Sequence, residues 1–508
     1  MTDRKPIDPS SDYQAMSPYW TMVETILGGA KAMRDAGEKY LPKFPQERDK
    51  DYAYRRSNAK FTNIYRDIVE NLAQRPFSKE VAIADGAPQA IKDFVEDVDG
   101  QGNHLHVFAG EVFFGGINNA VDWVLIDYSK GVPANATRAD EARIGARPYW
   151  VHIPAPSMLA VYSDMIDGRE AFVHARVHEP ARERSGFGEV TFSRVRVLNR
   201  EPLEGGGYGP ATYEVFEEQK DKDGKSAWVS IEAGPISIGI IPLVPFIAGR
   251  RMGQSWRFHP PMQDAAYLQV EHFQQESALK HAKALTAFPM LAGNGVSPPV
   301  GDNGKPVPVA VGPASVLFAP ANPNGGSAGS WTFVEPSATS LRFLADDIKE
   351  TAQSLRELGR QPLTAQSGNL TVVTTAFAAQ KGNAAIQAWA LNLKDALEQA
   401  FVITAKWLKL EFEPEVKINT DFDLGMGDDD TFAHVLAMGA GDYPLISREA
   451  TIAEAKRRNI LSPEYDGDKD LSVILKEGEG DDLGDDTMPG GNPPPADEDE
   501  DALDITEG

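Results

Sequence analysis

Residues 337–410 read SATSLRFLADDIKETAQSLRELGRQPLTAQSGNLTVVTTAFAAQKGNAAIQAWALNLKDALEQAFVITAKWLKL, and their periodicity decides the fold. Leu341, Leu344, Ile348, Ala352, Leu355 and Leu358 recur at alternating spacings of three and four, which places them on one face of a helix. Ile386, Trp389, Leu393, Leu397, Phe401, Thr404 and Leu408 do the same for a second helix, with alanines on its flank. Between them RQPLTAQSGNLTVVTTAFAAQKGN (360–383) is too polar and β-branched to continue the first helix, and Pro362 and Gly368 break it. A helix–loop–helix unit that packs against copies of itself has this pattern more often than a catalytic core does.

Working outward, 261–287 forms another helix, opened by proline and closed before Pro289. Residues 289–336 are rich in Pro and Gly and hold three short β-like pieces, VPVAV, SVLFA and WTFVE, as a projecting β-element between two helices. From Ala120 to Ile247 the period shifts toward two: AVDWVLIDY, PYWVHI, EAFVHARVHE, EVTFSRVRVL, TYEVFEEQ and SAWVSIE read as strands of a mostly antiparallel sheet. Ahead of it, Ser17-Pro18 starts a helix buried through Trp20, Val23, Ile26 and Leu27, and 49–73 forms a second, with Phe61, Ile64, Ile68, Val69 and Leu72 inward. A third run ends near Asn118 at Gly115-Gly116. After Leu410 come one strand, EVKINTDF, and helices over 429–438 and 447–458. Helices before and after a sheet make the fold class α+β.

The 508 residues carry a net charge of -25 and no cysteine. Disulfides, thiolate zinc sites and cysteine nucleophiles are thereby excluded, which points to an intracellular setting. The N-terminus lacks an apolar signal core, and the longest apolar run, 236–249, is broken by Pro242 and Pro245, so no membrane segment is expected. Residues 477–508 contain no Lys or Arg and read as a disordered, solubilising acidic tail. The remaining body shows no basic face of the kind that holds nucleic acid tightly.

Chemical motifs are sparse. Gly224-Lys225-Ser226 lacks the first glycine of a phosphate loop, since Gln219 occupies it, and Gly304-Lys305 is followed by Pro306. No G-x-S-x-G elbow occurs. The pairs His104/His106 and His174/His178 are spaced to chelate, but polar-face histidines on a half-exposed strand explain the second pair better. Asn419, Asp421, Asp423 and Asp430 fall loosely on a calcium-loop spacing, but Leu424 stands where the turn needs glycine, and 428–430 suits the acidic first turn of a helix. No cofactor and no metal site is expected.

The order of these elements resembles a tailed-bacteriophage portal protein, of the uncharacterised-domain (DUF4055-like) branch. The resemblance rests on KYLPKFPQERDKDYAYRRSNAKFTNIYRDIVENLAQRPF (39–77), on IGIIPLVPF before PPMQDAAYLQVEHFQQESALKHA, on the opening stretch itself, and on DYPLISREATIAEAKRRNIL. It spans about 17–474 and lies in order and spacing rather than in one motif. It implies a non-enzymatic ring, usually of twelve subunits, at one capsid vertex, in the virion and in the host cytoplasm during assembly. Double-stranded DNA would pass through its channel, and its partners would be the terminase large subunit, head–tail adaptor proteins, and major capsid and scaffolding proteins.

By the same resemblance, 1–16 is an arm and 17–260 the wing. Residues 261–288 and 337–360 are the two stem helices, and 289–336 the clip. Residues 361–383 hold the tunnel loop, 384–411 the long core helix, and 412–476 a wing strand and crown helices, before the tail at 477–508. Gln361, Leu363, Thr364, Ala365, Gln366, Ser367, Gly368 and Asn369 would face the DNA; Asn294, Asn303, Lys305, Asn322, Asn324 and Trp331 would form the clip's partner surface. The tunnel segment is neutral, with Arg360 and Lys381 only at its margins. An acidic ring would let DNA slide where a basic one would grip it. A different minor head or connector protein, or an enzyme with a metal at His174 and His178, are the other readings.

Overall fold

Capping, rather than hydrophobic period alone, sets where the first helix begins. In the computed structural model, which describes residues 4–129, 140, 143–220, 226–286, 290–294, 330–334, 338–359, 372–420, 422, 446–457, 461 and 465–478, α1 spans Ser11–Leu27. Ser10 caps it, its hydroxyl accepting from the Tyr13 amide at 3.2 Å. The expected start at Ser17-Pro18 is therefore too late. Pro18 lies inside the helix on its exposed side, where the carbonyl left without an N–H partner meets solvent. The chain divides into two units, 1–422 and 423–508.

After α2 (Gly29–Asp35), the expected single helix over 49–73 is two, α3 (Asp49–Asn58) and α4 (Ile64–Gln74). The helical pattern runs on across the gap, but Ala59 turns to ψ 132° and the Asn63 side chain caps α4 by accepting from the Arg66 amide at 3.0 Å. Strand β1 (Ala82–Ile83) and α5 (Gln89–Val95) lead to α6 (Leu105–Asn119). Gly115 and Gly116 lie inside α6 and do not end it; a Cβ at Gly115 would stand 1.9 Å from Asp122 Oδ2, and one at Gly116 2.3 Å from the Phe246 ring. Close packing places the glycines there, and Ala120, at φ 77°, terminates the helix.

Among the described residues, the sheet region holds two antiparallel sheets and a separate hairpin, not one sheet. Strands β2 (Val121–Tyr128) and β3 (Pro148–Ile153) belong to the smaller. The larger is built from β4 (Met158–Ile166) and β5 (Arg169–His178), then, past the separate hairpin of β6 (Ala181–Ser185) and β7 (Gly188–Phe192), from β8 (Arg194–Pro202), β9 (Tyr208–Lys220) and β10 (Ser226–Pro235). Its order is β10-β9-β8-β5-β4. The stretch 189–198, expected as one strand, is split at Ser193 between β7 and β8. Strand β11 (Leu243–Ile247) then completes the order β11-β2-β3. The short strands β12 (Arg250–Arg251) and β13 (Phe258–His259) pair with each other.

Helix α7 (Gln263–Thr286) precedes the two-stranded pair β14 (Met290–Asn294) and β15 (Ser330–Val334), and α8 (Ala338–Leu358) runs back along α7. Of the three β pieces expected here only WTFVE is described; the other two lie outside the described residues, and β14 was not anticipated. Helix α9 runs Val372–Leu408, so VVTTAFAAQKGN, expected to belong to the break, is its first part. Among the described residues of EVKINTDF, β16 (Val416–Lys417) alone is strand, paired with β1. In the second unit α10 (Arg448–Arg457) matches an expected helix, α11 (Gly467–Gly478) was not foreseen, and the helix expected over 429–438 lies outside the described residues. Trp150 and Phe401, with ring centroids 4.8 Å apart, and the stacked pair Phe113 and Phe246 join α6, strands β3 and β11 of the smaller sheet, and α9 into one core. The fold is α+β.

Candidate functional site

The paired helices α7 and α8 are buried at one end and bare at the other. At the buried end, Gln269 has its amide oxygen on the Tyr65 N–H at 2.8 Å and donates to the Thr62 carbonyl at 3.0 Å. Two turns further along the same face, Glu276 accepts from Lys60 Nζ at 2.6 Å and from the amide and hydroxyl of Thr62, each at 3.0 Å. These bonds pin α7 to the linker between α3 and α4. Burial along α8 follows the same gradient. Leu355 is fully buried and Ala352 packs against the core, whereas Leu344 is exposed and Phe343 is 73% exposed. Of the apolar face read from sequence, Leu355 is covered, while Leu344, toward β15, and Leu358, the last residue of the helix, are exposed. Gln275 and Asp347, 3.1 Å apart, tie the two helices midway.

Helix α9 is anchored more deeply. Thr404 is buried and accepts the Trp150 indole N–H at 2.8 Å while donating to the Ala400 carbonyl. Asn392 donates to the Ile247 carbonyl at 3.0 Å and Trp407 to that of Ile126 at 3.3 Å, which fixes α9 across β2 and β11. Leu391 and Val402 remain exposed on its other side.

The residues expected to face DNA, 361–369, lie outside the described residues, as do Asn303, Lys305, Asn322 and Asn324. Asn294 and Trp331 are brought together on the β14–β15 pair, where Asn294 is opposite Ser330 and Trp331 opposite Gly293. The pair His174 and His178 makes separate contacts: His174 Nδ1 meets Asn199 Oδ1 at 2.9 Å, and His178 Nε2 meets the Ser193 hydroxyl at 3.1 Å. Burial lowers the pKa of both imidazoles. His104 caps α6, its ring accepting the His106 amide, and His106 Nδ1 accepts the Val81 amide. Ser226, next to the incomplete phosphate loop, opens β10 and bonds to Glu218 at 2.7 Å. Asn419 donates to the Ser78 hydroxyl at 2.8 Å, while Asp421, Asp423 and Asp430 lie outside the described residues. Among the described residues no three His, Asp or Glu side chains gather as metal ligands, and no helix is long and apolar enough to cross a membrane.

One feature escaped the sequence reading. An open groove of about 890 Å³ lies between α1, α4 and α6, walled by Val23, Leu27, Phe77, Val107 and Phe114. Glu24, Glu70 and Glu111 also line it. At its floor the fully buried Asp122 accepts from Asn119 Nδ2 at 3.0 Å and the Ala155 amide at 2.8 Å, and meets His152 Nε2 at 2.8 Å. These three contacts tie β2 to the end of α6, to β3 and to the turn after β3, which makes the carboxylate a positioning device for the sheet. Its sequence signal was the Gly115-Gly116 pair close before Asp122, which was read as a helix stop.

Residues 261–408 match a domain of unknown function, DUF4055. The match begins just ahead of α7 and ends with α9. No curated protein matches the chain. Among solved structures, a chain from the neck of an empty gene transfer agent particle, computed with C6 symmetry, aligns at 12% identity and a TM-score of 0.40, over 84% of this chain and 98% of that one. A chain from the neck of the native particle, computed with C12 symmetry, aligns at 13% identity and a TM-score of 0.38, with the same coverage. A chain from the virion of the native particle aligns at 12% and 0.36, over 81% and 96%.

Proposed function

We propose that this protein is a structural component of a phage-type head–tail junction, and specifically a portal: a ring of subunits around a channel through which double-stranded DNA passes. The observation that carries the reading is the helical pair α7–α8. A stalk whose apolar residues Phe343 and Leu344 stand in solvent is stable as part of something larger, because exposed apolar side chains of this size mark contact surfaces. Copies of the same stalk, side by side in a ring, would cover them. The domain match falls on this stalk and on α9 together. In this reading β14–β15 and the segment between them form the clip, which docks the terminase large subunit and later the head–tail adaptors. Residues 361–369 line the tunnel, 442–470 contribute to the crown, and the protein resides in the virion. No catalytic step is assigned to it.

Negative-stain electron microscopy of the purified full chain tests the proposal. Rings with an axial hole, of about twelve subunits, are expected. A protein that stays monomeric through a series of concentrations and salts, with or without scaffolding protein, would overturn it.

A further inference from the structure

The hairpin β6–β7 belongs to neither sheet, and at its tip Phe187 is fully exposed. The turn is built to present it. Ser185 pairs with Gly188, leaving a two-residue loop, and Gly186 at φ 62° takes the position where that loop needs a left-handed residue. A large aromatic ring held in solvent on a short rigid turn suits insertion into a partner. Elsewhere on the same unit lies the unfilled apolar groove between α1, α4 and α6, where Val107 is 48% exposed.

We propose that the Phe187 tip of one copy seats in the α1–α4–α6 groove of the next copy around the ring; the inference rests on the ring reading above. Charge favours this occupant. Arg182 and Arg184 share one face of the hairpin with Glu189, which lies opposite Arg184, so that face keeps a net positive charge; the groove is lined by Glu24 and Glu111, and by Glu70, which pairs with Arg66. The same carboxylates disfavour the acidic 479–508 segment and nucleic acid as occupants. Knob and groove are different surfaces of one chain, so the contact is head-to-tail. Such a contact propagates from copy to copy and closes into a ring when the rotation permits.

Because the chain has no cysteine, thiols can be placed at will. The double variant Ser185→Cys/Val107→Cys, which keeps the Phe187 ring and places a thiol beside the tip, treated with a short bis-maleimide at assembly concentration, should give a ladder of covalent oligomers on a denaturing gel. Mixing the two single variants should give covalent dimers containing one of each. Rings that form normally in the microscope but yield neither ladder nor mixed dimer would overturn the inference and leave the ring reading standing. A ladder from protein that forms no rings would support the contact and count against the ring. Phe187→Ser, at a site with no packing to lose, should raise the concentration needed for half-assembly at least tenfold; assembly unchanged from the parent would also overturn the proposal.

Discussion

At the scale of single residues, backbone approach and buried charge decide more than side-chain identity. Gly115 is the sharpest case, since any β-carbon there meets Asp122 Oδ2. Gly115→Ala should displace the carboxylate, loosen its bonds to Asn119, Ala155 and His152, and lower unfolding free energy by about 2–4 kcal/mol in urea titrations. Loss within experimental error would mean that α6 shifts freely over β2. Arg55 and Glu47 give a second test. Their side chains are almost fully buried and joined by two bonds, Nε–Oε1 at 2.8 Å and Nη2–Oε2 at 2.7 Å. The Arg55 guanidinium holds the Glu47 carboxyl below its ordinary range. A carboxylate with a depressed folded pKa contributes stability above its unfolded value, near 4.3, and loses that contribution as pH falls through the folded value. Glu47→Gln should therefore be less stable than the parent at pH 7, by about 3–5 kcal/mol because a buried arginine is left unpaired. Its melting temperature should also fall less steeply below about pH 4.3. Parallel melting curves for the two proteins would refute the assignment. Neither pairing was legible in the sequence, where Glu47 sits in a polar loop and Gly115 looks like a stop signal; both depend on segments that meet only in the folded chain.

At the scale of elements, the long periodic helices were readable and their ends were not. The face Ile386, Trp389, Leu393, Leu397, Phe401 is buried as the spacing required. Yet α9 starts at Val372, because Val and Thr lower helix propensity only slightly and a helix already anchored through Thr404 and Asn392 propagates through them. The same competition hid the break at Ala59–Asn63, where bonds from Glu276 hold Lys60 and Thr62 out of helical register. Strand β4 was missed because MLAVYSDMI begins as an apolar run without alternation, its first four residues being buried on both faces of the strand. The revised boundary sharpens one experiment. Deleting 364–369 removes residues before α9 begins and should leave ring assembly unchanged, with DNA packaging or retention lost in a complementation assay. If the deleted chain aggregates or fails to assemble, those residues belong to the folded body and not to a channel lining.

At the scale of the whole molecule, charge is the property that links the chain to its proposed cargo. A net charge of -25 is carried both by the body and by the terminal segment. Each phosphate that Lys or Arg neutralises adds a grip that steepens with falling salt, and a conduit must avoid accumulating many. Purified rings are therefore expected to leave linear duplex DNA unretarded in a gel at about 0.15 M salt, even at micromolar protein. Strong binding that weakens steeply with salt would instead require a concentrated basic lining and would contradict passage without tight contact. The terminal segment bears on the same measurement. Because α11 runs to Gly478, the informative truncation follows Gly478, not Lys476, and removes 479–508 without cutting the helix. That protein should assemble as the parent does, since a run lacking Lys and Arg and poor in apolar residues has little to bury. Its DNA behaviour should also be unchanged if the acidic body alone keeps the duplex free. Should truncated rings begin to retain DNA, the tail would be the element that repels it, and the acidic segment would move from solubility into the mechanism of passage.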